Sequence, residues 1–207
     1  MNVIRNLLAI ACTLGLFVTT TNAQLFFDFE SGSAGWVLSN DFELGSPTGA
    51  DGSALGAFGG VEPTGGFSGS NVVGTVIGNV HSPSLVSTFS QTFDLTGQLG
   101  SMLSFMEWSD SGDNDFDMAE VIVNGSQQYL SDGDSLAAWR LVDVDLSAFD
   151  GMSSVDVTFQ FTASAAVERV GWYIDDVTVS AVPEPMSFVL LLVGGLGMVG
   201  YRRARRS

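Results

Sequence analysis

Between residues 24 and 182 apolar side chains come in short runs of alternating phase, separated by clusters of Gly, Ser, Asn and Asp. Val155, Val157, Phe159 and Phe161 alternate with Asp156, Thr158, Gln160 and Thr162, a period of two that buries one face of a strand and wets the other. Val121 and Val123 alternate in the same way ahead of Asn124-Gly125, a dipeptide suited to a two-residue hairpin because both turn positions need positive φ. Strands are predicted over Phe26–Glu30, Thr75–Val80, Thr88–Phe93, Met102–Trp108, Glu120–Val123, Gln127–Leu130, Leu141–Asp145, Val155–Thr162 and Trp172–Ser180. No stretch holds a helical period, and Gly45–Gly78, crowded with Gly, Ser, Thr and Pro, reads as long surface loops. The pattern predicts an all-β class, an antiparallel two-sheet jelly-roll sandwich.

The two ends break this pattern. Arg5 precedes an apolar stretch from Leu7 to Val18, and Thr21-Asn22-Ala23 offers the small residues that a signal peptidase reads, so residues 1–23 are expected to be a signal peptide and Gln24 the mature start. At the other end Pro183-Glu184-Pro185 leads into an apolar run, Met186–Tyr201, closed by Arg202, Arg203, Arg205 and Arg206. At about 1.5 Å per residue the run reaches roughly 24 Å, a little short of a hydrocarbon core of about 30 Å. Gly194, Gly195, Gly197 and Gly200 weaken the helix and admit close approach of another one. The arginines are expected to stay cytoplasmic, which leaves the body outside. On the apolar run alone, a permanent tail anchor is the other reading.

Composition then narrows the chemistry. The lone cysteine, Cys12, falls in the expected leader, so the body has no disulfide, thiolate nucleophile or Cys-based metal site. His81 is the sole histidine, which excludes zinc sites built on two or more His or Cys ligands. From 24 to 182 two arginines, Arg140 and Arg169, stand against twenty-two carboxylates, a formal charge of −20, and lysine is absent throughout. Such a field repels nucleic acid and anionic lipid and attracts cations. About 159 residues suit one domain with a substantial core.

Candidate sites follow from clusters and aromatics. Asp110, Asp113, Asp115 and Asp117 form the densest acidic run; Asp113-Asn114-Asp115-Phe116-Asp117 opens like an EF-hand loop but lacks the Gly and Glu that would complete one. It reads either as a solvated turn-rich loop or as a second metal site on Asp113, Asp115 and Asp117. Trp36 and Trp172 suit the core. Trp108 and Trp139 suit either burial or stacking on the apolar face of a sugar. A carboxylate pair for glycoside hydrolysis, such as Glu107 and Glu120, is nominated only by the abundance of carboxylates. Ser68 misses the final glycine of a nucleophile elbow. No catalytic residue is assigned, and a non-enzymatic protein is expected.

Val182-Pro183-Glu184-Pro185, the apolar run with internal glycines and the terminal arginine cluster together resemble the sorting tail of PEP-CTERM proteins. The resemblance implies three segments: signal peptide 1–23, body 24–182 and sorting tail 183–207 with its membrane segment 186–201. It further implies signal peptidase and an exosortase as processing partners, a transient anchor in the inner membrane of a Gram-negative bacterium, and delivery to the cell surface or extracellular matrix of a biofilm, in association with exopolysaccharide.

Phe27-Asp28-Phe29-Glu30 with Gly35-Trp36, and Gly171-Trp172-Tyr173-Ile174-Asp175-Asp176-Val177, look like the first and last strands of the secreted jelly rolls that include MAM-like domains and many carbohydrate-binding modules. The disulfides of MAM domains are missing. The resemblance implies a structural Ca²⁺ on Glu30 and on Asp175 or Asp176. Adjacent strand residues point to opposite faces, so one of the two Asp is expected to face the ion, with main-chain carbonyls and waters completing six to eight oxygens. The expected function is a non-enzymatic exported protein sorted to the surface or matrix; the alternatives are a carbohydrate-binding module and a calcium-bridged adhesin, with glycoside hydrolysis behind all three.

Overall fold

The computed structural model describes residues 23–56, 60–110, 116–131, 138–166 and 168–183. Its strands are β1 Ala23–Phe27, β2 Val37–Ser39, β3 Phe42–Gly45, β4 Val72–Thr75, β5 Val86–Phe93, β6 Gln98–Asp110, β7 Met118–Val123, β8 Ser126–Leu130, β9 Arg140–Asp145, β10 Val155–Thr162 and β11 Gly171–Pro183. One 3₁₀ turn, Ser147–Phe149, joins β9 to β10. The first sheet runs β3-β4-β11-β6-β9 with β1 also on β11, and the second runs β2-β5-β10-β7-β8. The path β4-β11-β6-β9 facing β5-β10-β7-β8 is the jelly-roll winding, so the expected all-β, two-sheet sandwich is the observed architecture.

The period-two pattern fills the space between the sheets. On β10, Val155, Val157, Phe159 and Phe161 point inward, and Phe159 sits opposite Phe89 of β5 and Val121 of β7. Phe89 and Phe159 stack with centroids 4.4 Å apart and planes at 14°, and Phe105 of β6 meets Phe159 edge-on from the other sheet at 4.9 Å. Trp36 and Trp172 are buried in this same cluster, as their place in the sequence predicts. Each such side chain contributes about 1.5–3 kcal/mol by leaving water. Asn124 and Gly125, at φ 47° and 78°, make the β7–β8 hairpin.

Three expectations shift. Instead of a strand over Thr75–Val80, the strand is Val72–Thr75; Val76 at φ 50° and Gly78 at φ 79° turn the chain immediately after it. The first strand ends at Phe27 rather than Glu30, because Phe29 takes φ 58°. The stretch read as loops from Gly45 to Gly78 therefore contains β4, and β2 and β3 were not predicted at all. The signal peptide up to Asn22, Glu184 and Pro185 of the sorting motif, the membrane segment and Arg202, Arg203, Arg205 and Arg206 lie outside the described residues. Among the described residues no helix is long and apolar enough to cross a membrane.

Candidate functional site

Strand β11 has two partners along one edge. Tyr173 and Ile174 pair with Val73 and Gly74 of β4, whereas Val177–Ala181 pair with β1. Asp175 and Asp176 occupy the changeover, and Asp176 at φ 48° breaks the strand alternation there. Both Asp side chains consequently reach one residue: Ser68 donates its N–H to Oδ2 of Asp175 at 3.0 Å and its hydroxyl to Oδ1 of Asp176 at 2.6 Å. Of the two only Asp175 is buried, and Asp176, at φ 48°, turns its carboxyl to the Ser68 hydroxyl. From just beyond β1, Glu30 accepts the N–H groups of Ser70 at 2.7 Å and Asn71 at 2.6 Å. Those donors, Asn71 foremost, hold the Glu30 carboxyl below the usual range. Burial does the reverse to Asp175, whose carboxyl is pushed up to about 7. The three carboxylates predicted from the terminal strands are thus brought together around the loop that leads into β4.

Main-chain oxygens and one carboxylate crowd together in this loop. Among the described residues no group of three acidic, His or Cys side chains is arranged to hold a metal. Yet around the position that a Cβ on Gly66 would take stand the Ser68 carbonyl oxygen, Asp175 Oδ2 at 3.0 Å and the Asn71 carbonyl oxygen at 3.1 Å. The Ser68 and Asn71 carbonyls and the buried Asp175 carboxylate are oxygens of the kind calcium takes, and they pack closely enough against Gly66 that a side chain there would collide with them.

The remaining buried polar groups tie loops to sheets. Glu107, on the core side of β6, accepts from Tyr129 Oη at 2.7 Å, Arg140 Nε at 2.8 Å and Trp172 Nε1 at 3.0 Å. Burial first, and the Glu107 charge second, push the Tyr129 hydroxyl above its ordinary range. Glu62 accepts from the N–H groups of Thr48 at 2.9 Å, Ala50 at 3.1 Å and Gly78 at 2.6 Å, and so fixes the 46–71 loop over the outer side of β4 and β11. Asp117 is turned inward, with Oδ2 3.1 Å from His81 Nε2, and accepts the Ser164 N–H at 2.7 Å. Asp113 and Asp115 lie outside the described residues. Arg169 Nη1 donates to buried Asp110 at 3.2 Å. Glu107 faces the interior, whereas Glu120 is held on the outer face of the second sheet by Gln127 and Gln160 at 2.7 and 2.8 Å. The nominated carboxylate pair therefore does not converge on a common space.

On the outer side of β6 and β9, loop residues Val61 and Phe67 contact the Trp108–Trp139 end, whereas Leu141, Asp143 and Asp145 of β9 are exposed. Glu107 and Arg140 are register partners, so Trp108 and Trp139, one step on, share the outward face; their rings stand 6.0 Å apart at 67°. Phe67, 52% exposed, meets Trp139 at 6.4 Å, and Trp108 Nε1 donates to the Val61 carbonyl at 2.9 Å. Both tryptophans are half-buried against Tyr173, Val72 and Val170. Met106 opposite Leu141, Ser104 opposite Asp143 and Met102 opposite Asp145 continue the strip. Sequence reasoning singled out the tryptophans but missed Phe67, Leu141, Asp143 and Glu62. The period-two phase of β6 and β9 was the signal for the outward residues; a carboxylate buried from a loop leaves no periodic trace.

The fold and site define a jelly-roll sandwich with an aromatic-ended strip on the outer face of one sheet and a carboxylate-clamped loop at a strand changeover. No family model matches the chain. Over 164 residues, 74% of this chain, it is 31% identical to bacillopeptidase F of Bacillus subtilis (strain 168), and it spans only 10% of that protein's length. Among solved structures it is similar to TmCBM61, whose structure is in complex with β-1,4-galactotriose, at 14% identity and a TM-score of 0.49 over 73% of this chain and 92% of that one. It is similar too to the K3 adhesin domain of Lys-gingipain from Porphyromonas gingivalis W83, at 16% identity and a TM-score of 0.48 over 77% and 99% of the two chains. The CBM22-1 xylan-binding domain of Paenibacillus barcinonensis Xyn10C gives 14% identity and a TM-score of 0.46 over 80% and 99%.

Proposed function

We propose that the sandwich is a non-catalytic carbohydrate-binding module of an exported protein. The observation that carries this reading is the outward cluster of Phe67, Trp108 and Trp139 beside Ser104 and Asp143. Flat apolar rings take the faces of sugar rings, and a hydroxyl and a carboxylate within the same strip take the sugar hydroxyls. Glu62, by holding the loop that supplies Phe67 and the Val61 carbonyl, positions the cluster. Calorimetric titration of the full-length protein in detergent with soluble oligosaccharides tests this: saturable heat that disappears in Trp139→Ala, with the fold intact, supports it, and flat traces across the panel sink it.

In the same proposal a Ca²⁺ ion, held by Asp175 and the Ser68 and Asn71 carbonyls with Glu30 bracing the loop, serves as a structural element. The Val182-Pro183-Glu184-Pro185 segment and the apolar run with Arg202, Arg203, Arg205 and Arg206 serve delivery. Signal peptidase acts at the leader, and an exosortase receives the protein at the inner membrane before its release to the surface or matrix. Replacing Pro183-Glu184-Pro185 by alanines is the test of that route: the reading expects membrane-retained, unprocessed protein, and normal processing would overturn it.

A further inference from the structure

We propose that the β6–β9 strip recognises a polysaccharide carrying free amines, a hexosamine polymer whose amino groups are not acetylated, and that it rejects uronic-acid and sulfated polymers. This rests on the glycan-binding reading above and adds the charge class of the ligand.

The first support is the placement of the cations. Arg140 and Arg169 are the only basic side chains between 24 and 182 apart from His81. Arg140 is engaged with buried Glu107, Arg169 with buried Asp110, and His81 is itself buried against Asp117. Among the described residues, both arginines are thus paired with buried carboxylates, although their side chains are themselves partly exposed. An anionic glycan laid on the strip finds carboxylates and no partner for its own charge, within a field of −20 for the body.

The second support is the order of groups along the strip. From one end to the other the outward pairs are Trp108 with Trp139, Met106 with Leu141, Ser104 with Asp143, and Met102 with Asp145. Leu141 is 61% exposed and both Asp are exposed. The six residue steps from Met102 to Trp108 of β6, at about 3.3 Å each, make a track of roughly 20 Å, long enough for several sugar units. Apolar surface lies at one end for ring faces, and two carboxylates lie at the other, two residues apart on one edge strand. Asp143 Oδ1 takes the Ser104 hydroxyl at 2.6 Å, and Asp145 Oδ1 takes the Ser147 N–H at 2.8 Å, so both are oriented rather than free to swing. An oriented carboxylate bonds an ammonium with both partners charged, which adds an ion-pair attraction that a neutral acetamido group or hydroxyl donating to the same oxygen lacks.

The experiment titrates the full-length protein in detergent with a β-1,4-linked glucosamine hexamer, its fully N-acetylated counterpart and a uronic-acid oligomer of equal length, each at low and at physiological salt. The glucosamine hexamer is expected to bind about fivefold tighter than the acetylated one, since an ion pair on an exposed carboxylate is worth up to about that ratio. The advantage should shrink with salt and vanish in Asp143→Asn/Asp145→Asn. The pair Asp156→Asn/Glu120→Gln, whose carboxylates lie on the outer face of the other sheet, should leave it unchanged. Equal or better binding of the acetylated or uronic-acid oligomer overturns the amine preference while leaving the glycan reading standing. Equal loss in both double variants, or equally tight binding of an oligolysine of the same charge that Trp139→Ala does not weaken, assigns the effect to bulk charge and overturns the site. Flat traces for all three sugars overturn the glycan reading itself.

Discussion

The indole N–H of Trp172 donates to Oε2 of Glu107 across the centre of the first sheet, at 3.0 Å, with both side chains fully buried. A carboxylate in that position stands only because Arg140 and Tyr129 share it.

Glu107→Ala is therefore expected to destabilise the sandwich by about 3–5 kcal/mol, since it removes the buried carboxylate that Arg140, Tyr129 and Trp172 share. Replacing both members of the pair, as in Glu107→Met with Arg140→Leu, should recover most of that loss, because apolar residues of similar volume substitute well for a buried ion pair. Thermal melts of the single and double variants give the comparison; a double variant no better than Glu107→Ala contradicts it.

A Cβ at Gly74 would run into the ring of Tyr173, which lies across the facing residue of β11. Gly74→Ala should cost about 1–3 kcal/mol by overpacking, and Gly74→Ala with Tyr173→Ala should cost less than the sum of the two single changes. Strict additivity in the double variant would show that the two residues do not share the space.

The metal-free protein should lose stability as pH rises. The Asp175 carboxyl is pushed up to about 7 by burial, against an ordinary 3.8, so the folded state binds more protons than the unfolded one between those values. Stability contributed by this group is present below about pH 4, is lost as pH climbs to about 7 and is level above. Asp175→Asn should remove the slope. Glu30, Asp94 and Asp145, held low by the donors at Asn71, Thr96 and Ser147, act in the opposite sense and only in the acid range, where their loss of charge destabilises the fold. A melting temperature flat from pH 4 to 7 in chelator would refute the assignment.

Calcium should reverse that loss. A cation competing with the proton for Asp175 raises the melting temperature more at pH 7.5 than at pH 5. Gly66→Ala, which fills the space among the Ser68, Asn71 and Asp175 oxygens, should abolish the response. If added calcium and added chelator leave the wild-type melt unchanged at both pH values, the loop is clamped by its amides alone.

Much of the sandwich was legible from period and punctuation. β10 reads cleanly because strands flank it on both sides and its inward face is fully buried, so Val155 to Phe161 alternate without exception. The β7–β8 hairpin reads from Asn124-Gly125 alone. β2 and β3 did not, being three and four residues long and joined through Asn40 at φ 56°, too short for a period to establish itself. The placement of β4 went astray because Val76, Ile77 and Val80 extend its apolar run beyond a turn that only the backbone angle of Val76 reveals. Glu107 carried a usable signal: it falls in phase with Leu103 and Phe105, which puts it inside, and a body with two arginines must spend one there. Asp117 gave none, since its partner His81 is 36 positions away and neither lies in an alternating run.

Strand β11 is hydrogen-bonded on both edges, to β4 and β1 on one side and β6 on the other, and it runs from Gly171 through to Pro183. Its ladder bonds stand perpendicular to the strand axis. Tension applied from the Pro183 end would draw on those rungs in parallel instead of peeling them singly, so the domain is braced as a shear joint. Under flow, failure would wait for a whole ladder to give way at once, a rate set by the barrier to unfolding and not by the strength of any one rung.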